Sequence, residues 1–362
     1  MSFPSLRDVH QAMDAVFGDN AGAMPLRYGD PASEAAAARQ RAGLFDRSDV
    51  GKVYVRGSDA ADYLHRRLTN SISNLAEGAG CEAALLGGDA RMIAAMTVSR
   101  IGRGFLVLAE PGLHEILRDE LEKYVIAEDV KIDELRGKLG AIHVLGPQAG
   151  ALASTLCPEA PADMAPWQIM RLEGIGAEAA FLCRRDLGRL PGRLLLTTQD
   201  RLAGLWGEAA TEAKLLGGGP AGAEAFEILR LEEGEPRCGA EWGPRTIPLE
   251  ANLKRLLDYT KGCYPGQEVI ARVTNEGRQA RALVGLRLDG EGPALPGAAV
   301  LAGGVRTGAV TSSAVSPALG PIALAGVEWE HRHAGAAVEI EGGRKAWIVG
   351  LPFDFPESKA SG

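Results

Sequence analysis

The densest chemistry in the sequence lies at Lys261-Gly262-Cys263-Tyr264-Pro265-Gly266-Gln267-Glu268, followed by Val269-Ile270-Ala271-Arg272. It reads as a turn presenting a thiol. Gly262 and Gly266 allow positive φ or close approach to a ligand, and Pro265 stiffens the loop between them. If Lys261 and Arg272 converge on Cys263, their charge lowers the thiol pKa and favours a redox-active or nucleophilic thiolate. On residue chemistry alone, a buried cysteine beside a tight turn fits the same letters. The other cysteines, Cys81, Cys157, Cys183 and Cys238, form no Cys-x-x-Cys pair and no zinc spacing, and read as small packing residues.

Other candidates carry less. His331-Arg332-His333 offers two imidazoles, but on a solvent-facing strand Glu328 and Glu330 would project to the opposite face. Residues 174–176 lack the third glycine of a dinucleotide turn, and residues 217–222 lack the Lys-Ser/Thr of a phosphate loop, so both read as loops. Glu232, Glu233 and Glu235 read as a solvated acidic edge at a helix end. Arg184, Arg185, Arg189 and Arg193 form a basic cluster that is either a solvated face or a receptor for an anion.

The elements that must position these residues are mixed. Val53 and Val55 alternate with Lys52 and Tyr54, Tyr63, Leu64 and Leu68 share a helical face, and Phe105 and Val107 alternate with Leu106 and Leu108. Leu113, Ile116, Leu117, Leu121 and Tyr124 recur at helical spacing over 111–124. Strands near 141–145, 179–183 and 193–197 are joined in the middle third by helices near 200–215 and 221–231, a mixture that argues for α+β and against a sandwich. After Arg281 short alternating strands broken by Gly and Pro predict a small β-barrel. The expected division is an α+β region over 1–280, built of two interleaved subdomains, and a barrel domain over 281–362.

Length and charge narrow the function. The 362 residues bury a full core without disulfide or metal staples. The net charge of −8, from 39 basic and 47 acidic residues, speaks against non-specific nucleic-acid binding. The N-terminus reaches a charge within eight residues, and no window approaches the roughly 20 apolar residues of a membrane span. The expectation is a cytoplasmic protein with neither membrane nor nucleic-acid partners.

Ile247-Pro248-Leu249-Glu250-Ala251-Asn252-Leu253 together with the Lys261–Glu268 loop resembles the signature of the YgfZ family of folate-binding iron–sulfur proteins, relatives of the glycine cleavage T-protein (aminomethyltransferase). Gly43-Leu44-Phe45-Asp46-Arg47-Ser48 with Gly51-Lys52-Val53 is similar to the opening of that superfamily. Leu229-Arg230-Leu231-Glu232 resembles its central arginine motif, and Gly308-Ala309-Val310-Thr311-Ser312 with Ser316-Pro317 its C-terminal barrel. The resemblance implies a three-domain cloverleaf around a central tetrahydrofolate pocket, lined near residues 88–93, with Asp89 and Arg91, and by Arg230. It implies Cys263 as the reactive residue, with Lys261, Tyr264, Gln267, Glu268 and Arg272 shaping its loop.

Two departures separate the branches. T-proteins place an aspartate pair where this chain has Ala94 and Ala95, and an alanine methyl neither accepts a proton nor stabilises a cation. Their folate-facing glutamate has no counterpart in Leu187-Gly188-Arg189-Leu190-Pro191-Gly192. The resemblance therefore implies a tetrahydrofolate-binding accessory protein for assembling or repairing iron–sulfur clusters in client enzymes, including radical enzymes that modify tRNA. Those clients or assembly factors would be its partners. The alternative is a tetrahydrofolate-dependent aminomethyltransferase or demethylase.

Overall fold

The computed structural model describes residues 5–18, 24–161, 163–173 and 180–355. The loop at 174–176 and the tail at 357–362 lie outside the described residues. Among the described residues no helix is long and apolar enough to cross a membrane.

The fold is α+β with a closed C-terminal barrel. A first, antiparallel sheet runs in the order Gly80–Leu86, Met92–Ile101, Gly104–Ala109, Gly51–Arg56, Lys131–Glu134. A second runs Gly219–Pro220, Gly43–Asp46, Leu139–Leu145, Gly192–Thr198, Ala180–Arg184, Ile169–Arg171, with only the first pair parallel. The strand Gly43–Asp46 precedes the whole first sheet in sequence yet belongs to the second, so the two sheets interleave along the chain.

Gly104–Ala109 is apolar at every position because both of its faces are covered. Phe105 and Val107 pack under the helices with Tyr63, Leu64 and Leu117. Leu106 and Leu108 pack against Ala141, Leu194 and Leu196 of the second sheet. At about 1.5–3 kcal/mol for each fully buried large aliphatic side chain, these two contact layers hold the sheets face to face. The first sheet's core is completed from far along the chain by Trp242, Leu249, Leu253, Leu256, Tyr264 and Ile270.

The helix Pro31–Gln40 starts where Asp30 accepts the Ser33 N–H at 2.9 Å and proline takes the first turn. It buries Ala35 and Ala38 against the second sheet. Lys52 departs from the expected alternation: it is fully buried, and its Nζ donates to the carbonyls of Ser48 at 3.0 Å and Val50 at 2.8 Å. Those bonds occupy two of the three N–H groups of the ammonium, while burial lowers its pKa to about 8.

The barrel closes in the order Arg281–Leu288, Gly320–Glu328, Val305–Ser316, Ala299–Ala302, Ala337–Ile340, Arg344–Val349 around Leu286, Val300, Ala325 and Ile348. A register shift between Val310 and Ser312 leaves Thr311 unpaired in the ladder, and Ser312, opposite Leu324, accepts from Arg230 of the helix Ala223–Glu232. The histidine pair is not on a strand as expected: Trp329–His331 is one 3₁₀ turn after the strand has ended at Glu328.

Candidate functional site

A cavity of about 660 Å³ opens where the two sheets and the helix Ala223–Glu232 meet. The first sheet contributes Ala95, Met96 and Thr97, with Glu110 just past the end of the neighbouring strand. The second contributes His143 and Arg185, and the helix contributes Phe226, Glu227 and Arg230. Leu253 and Leu256 add apolar wall. The lining combines flat apolar surface with a few fixed polar groups, the composition of a small-molecule site.

Most of the charge around the cavity is neutralised by the protein itself. Arg230 is buried, and all five of its N–H groups have acceptors. Nε and one terminal nitrogen engage Glu227, the other donates to the Glu235 carbonyl at 2.7 Å and Glu241 at 2.9 Å, and a last N–H reaches Ser312 Oγ at 2.9 Å. Ser312 donates in turn to Glu241 at 2.6 Å, so the central arginine docks the barrel onto the helix. Next to it, Glu232 and Glu233 are 1% and 3% exposed, not the solvated edge expected from sequence. Arg39 binds both at 2.6 and 2.9 Å, Arg189 adds a bond to Glu233 at 3.1 Å, and Ser316 Oγ donates to Glu232 at 2.5 Å. Glu235 pairs with Arg255.

Glu110 and Arg185 are held differently. Glu110 Oε2 accepts the Cys238 N–H at 2.8 Å and Oε1 the Trp242 indole N–H at 3.2 Å. Burial nevertheless raises its pKa. Arg185 donates to Thr97 Oγ1 at 3.0 Å, and burial beside Arg47 lowers its pKa. The Arg185 carbonyl accepts from His143 Nε2 at 2.7 Å, which fixes the proton on that nitrogen. Burial drives the His143 pKa down to about 3, so the ring is neutral.

Of the residues that the resemblance assigned to folate or to the reactive loop, Arg230 lines this cavity and the others do not; Arg184 and Arg185 of the basic cluster and Glu235 of the acidic run line it as well. Cys263 is exposed at the surface. Lys261 Nζ turns away from it to cap the helix Ala60–Arg67 and the turn after it, donating to the carbonyls of His65, Leu68 and Asn70. Burial there lowers its pKa to about 8. Tyr264 is buried with its ring centroid 5.4 Å from that ammonium. Gln267 is half-buried at the start of the helix Gln267–Glu276, while Glu268 and Arg272 on it are exposed. Gly266 has φ +81°, and a Cβ there would lie 2.6 Å from the Ala90 Cα, so the glycine lets the loop press onto the 87–90 turn.

Asp89 and Arg91 pair with each other at 3.1 Å on that turn and border a separate cavity of about 340 Å³, which also holds Met92 and Ile93. The basic cluster disperses: Arg184 pairs with Asp186, Arg189 with Glu233, and Arg185 enters the large cavity. Glu110 was missed in sequence, although an acid closing a wholly apolar strand is a visible signal. So was His143, whose apolar strand context reads as packing.

The GCVT N-terminal domain family matches residues 6–261, and the glycine cleavage T-protein C-terminal barrel domain family matches residues 281–354. An aminomethyltransferase from Streptomyces coelicolor is 30% identical, with 96% of each chain covered. Another from Rubrobacter xylanophilus is 32% identical over 99% of this chain and 96% of its own. The crystal structure of the glycine cleavage system aminomethyltransferase T from Bartonella henselae superposes with a TM-score of 0.87 at 25% identity, covering 98% of both chains. These findings overturn the iron–sulfur accessory role expected from the cysteine loop: the similarity runs end to end with proteins named for aminomethyl transfer. They support neither iron–sulfur clients nor the YgfZ branch. With residues 6–261 and 281–354 matched by the family and its relatives covered nearly end to end, the chain belongs to the glycine cleavage T-protein family.

Proposed function

We propose that this chain is a tetrahydrofolate-dependent one-carbon transferase of the aminomethyltransferase type, working in the 660 Å³ cavity. That cavity carries the reading, together with the end-to-end similarity to aminomethyltransferases. Met96, Phe226 and Leu253 offer apolar faces for a bicyclic ring, and Glu110, Arg185 and Thr97 offer polar atoms at its edges. Tetrahydrofolate, when bound, supplies the nitrogen that takes up the one-carbon unit. The chain's own part is to bind that ring, to orient the amine-bearing donor against it and to exclude water.

Ala94 is fully buried inside the first sheet and Ala95 lines the cavity, so neither position holds a proton. Acid–base work in this site therefore falls to a group on another element. The test is an anaerobic equilibrium titration with tetrahydrofolate, followed by single turnover with an aminomethylated carrier protein. Saturable binding near one equivalent with transfer to folate is expected. Absence of binding at millimolar tetrahydrofolate would remove this reading.

A further inference from the structure

Twelve charged side chains line the large cavity, and ten of them are ion-paired within the protein. The two without an ionic partner among the described residues are Glu110 and Arg185. They have opposite signs and come from different sheets, and each is held by neutral groups alone: Glu110 by a main-chain N–H and an indole N–H, Arg185 by a threonine hydroxyl. They lie close enough for each to feel the other's charge, yet they form no bond.

The positions of the two are fixed from behind. The ladder that pairs Met96 with Ala109 ends one residue before Glu110, and Ala95, the residue before Met96, lines the same cavity as that carboxylate. Thr97, two residues along the same strand, anchors Arg185. Each Glu110 oxygen has spent one acceptor site on the protein and keeps another; Arg185 has spent one of its five N–H groups on a side-chain acceptor. Burying opposite charges without letting them meet is costly, and the cost is recovered when a ligand supplies the complement to both.

We propose that Glu110 and Arg185 are the specificity-determining pair of this cavity, reading a ligand edge that carries N–H donors beside an oxygen acceptor. This rests on the one-carbon transferase reading. Two ligands of such a reaction present that edge. One is the aminopyrimidinone side of the pterin, with its 2-amino group and ring N–H next to a carbonyl. The other is a free amino-acid donor, with its ammonium next to a carboxylate.

The experiment compares wild type, Glu110→Gln and Arg185→Gln in titrations with tetrahydrofolate, its 2-desamino analogue and N-methylglycine, with a thermal melt of each variant as the folding control. Loss of a hydrogen bond to a charged group predicts weakening of about 10- to 100-fold. If the pterin is read, Glu110→Gln and removal of the 2-amino group each weaken binding by that factor, and combining them brings no further loss. If the donor is read, tetrahydrofolate binds all three proteins alike and N-methylglycine weakens with both variants. Wild-type affinity for every probe in both folded variants overturns the proposal while leaving the folate reading intact. Failure of the wild type to bind tetrahydrofolate overturns the folate reading, and if it also fails to bind N-methylglycine, the pair reads neither ligand and the proposal falls with it. Should Glu110→Gln not fold, the tetrahydrofolate and N-methylglycine arms with Arg185→Gln decide by the same criterion.

Discussion

Arg230 and Arg185 border the same cavity and differ in what surrounds them. Arg230, the more conspicuous in sequence, has every N–H spent on Glu227, Glu241, Ser312 and a carbonyl. Arg185, one of four arginines within ten residues, gives a single side-chain bond to Thr97 and forms no ion pair among the described residues. The contrast teaches that motif density and ligand contact are separate properties. A satisfied buried charge holds domains together, and an unsatisfied one waits for something that is not protein.

The sharpest way to break that contrast is to remove each guanidinium in turn. Arg230→Met leaves Glu241 buried without its cation, and is expected to cost about 3–5 kcal/mol in urea unfolding. Arg185→Met removes a desolvated charge that has no ionic partner, and should change stability by less than about 1 kcal/mol. Equal losses for the two variants would erase the distinction between a closed cluster and an open pair.

A second, smaller effect lies in the pH dependence of stability. Burial raises the Glu110 pKa in the fold, so the folded state binds the extra proton just above the ordinary glutamate value. Its contribution is present at low pH and is lost as pH rises through that window. Burial also opposes ionisation of Glu227, but the Arg230 hydrogen bond and charge outweigh it and hold the pKa low. Its contribution is present above the ordinary value and is lost as pH falls. Stability measured from pH 4 upward should therefore show Glu110→Gln and Glu227→Gln shifting the wild-type profile in opposite senses. Shifts of the same sign would mean that both carboxylates belong to one kind of environment.

The smallest effect is on rate alone. Burial pushes the Cys81 and Cys183 thiols to about 12 and Cys157 to about 11, whereas Cys263 is exposed. Limited alkylation at neutral pH, read by peptide mass, should label Cys263 ahead of those three. Early labelling of Cys183 would show that the second sheet opens on the timescale of the reagent.

Element types were legible because periodicity reports burial directly: the alternation after Arg281 became the barrel, and the helical spacing after residue 111 became the helix His114–Glu122. Burial of charge was not legible. Lys52 fitted a solvent-facing position by alternation, yet two carbonyls take its ammonium inside the sheet. Glu232 and Glu233 read as an exposed acidic run because their partner, Arg39, lies on a helix nearly two hundred residues earlier. The cysteine loop drew attention through its glycines, and the structure gives Gly266 a packing reason that needs no thiol chemistry: the space above Ala90 admits no side chain. The cavity's buried polar groups are dispersed over three segments, and no local window contains Glu110, His143 and Arg185 together.

The first sheet closes its core with residues that arrive late. Its last strand ends at Glu134, but Leu253, Leu256, Tyr264 and Ile270 lie in the same core, the Thr69 hydroxyl donates to the Leu256 carbonyl, and the Lys261 ammonium caps the helix Ala60–Arg67. During vectorial synthesis at about 5–20 residues per second, the ribosome spends on the order of ten seconds between the last strand and those closing residues. Through that interval the nascent sheet presents an unfinished apolar face whose native cover has not yet been translated. Loop-closure entropy over nearly two hundred residues then sets the final step. The molecule's first-made sheet is thus among the last to become stable, and a truncation anywhere before Ile270 removes part of a core that otherwise belongs to the N-terminal half.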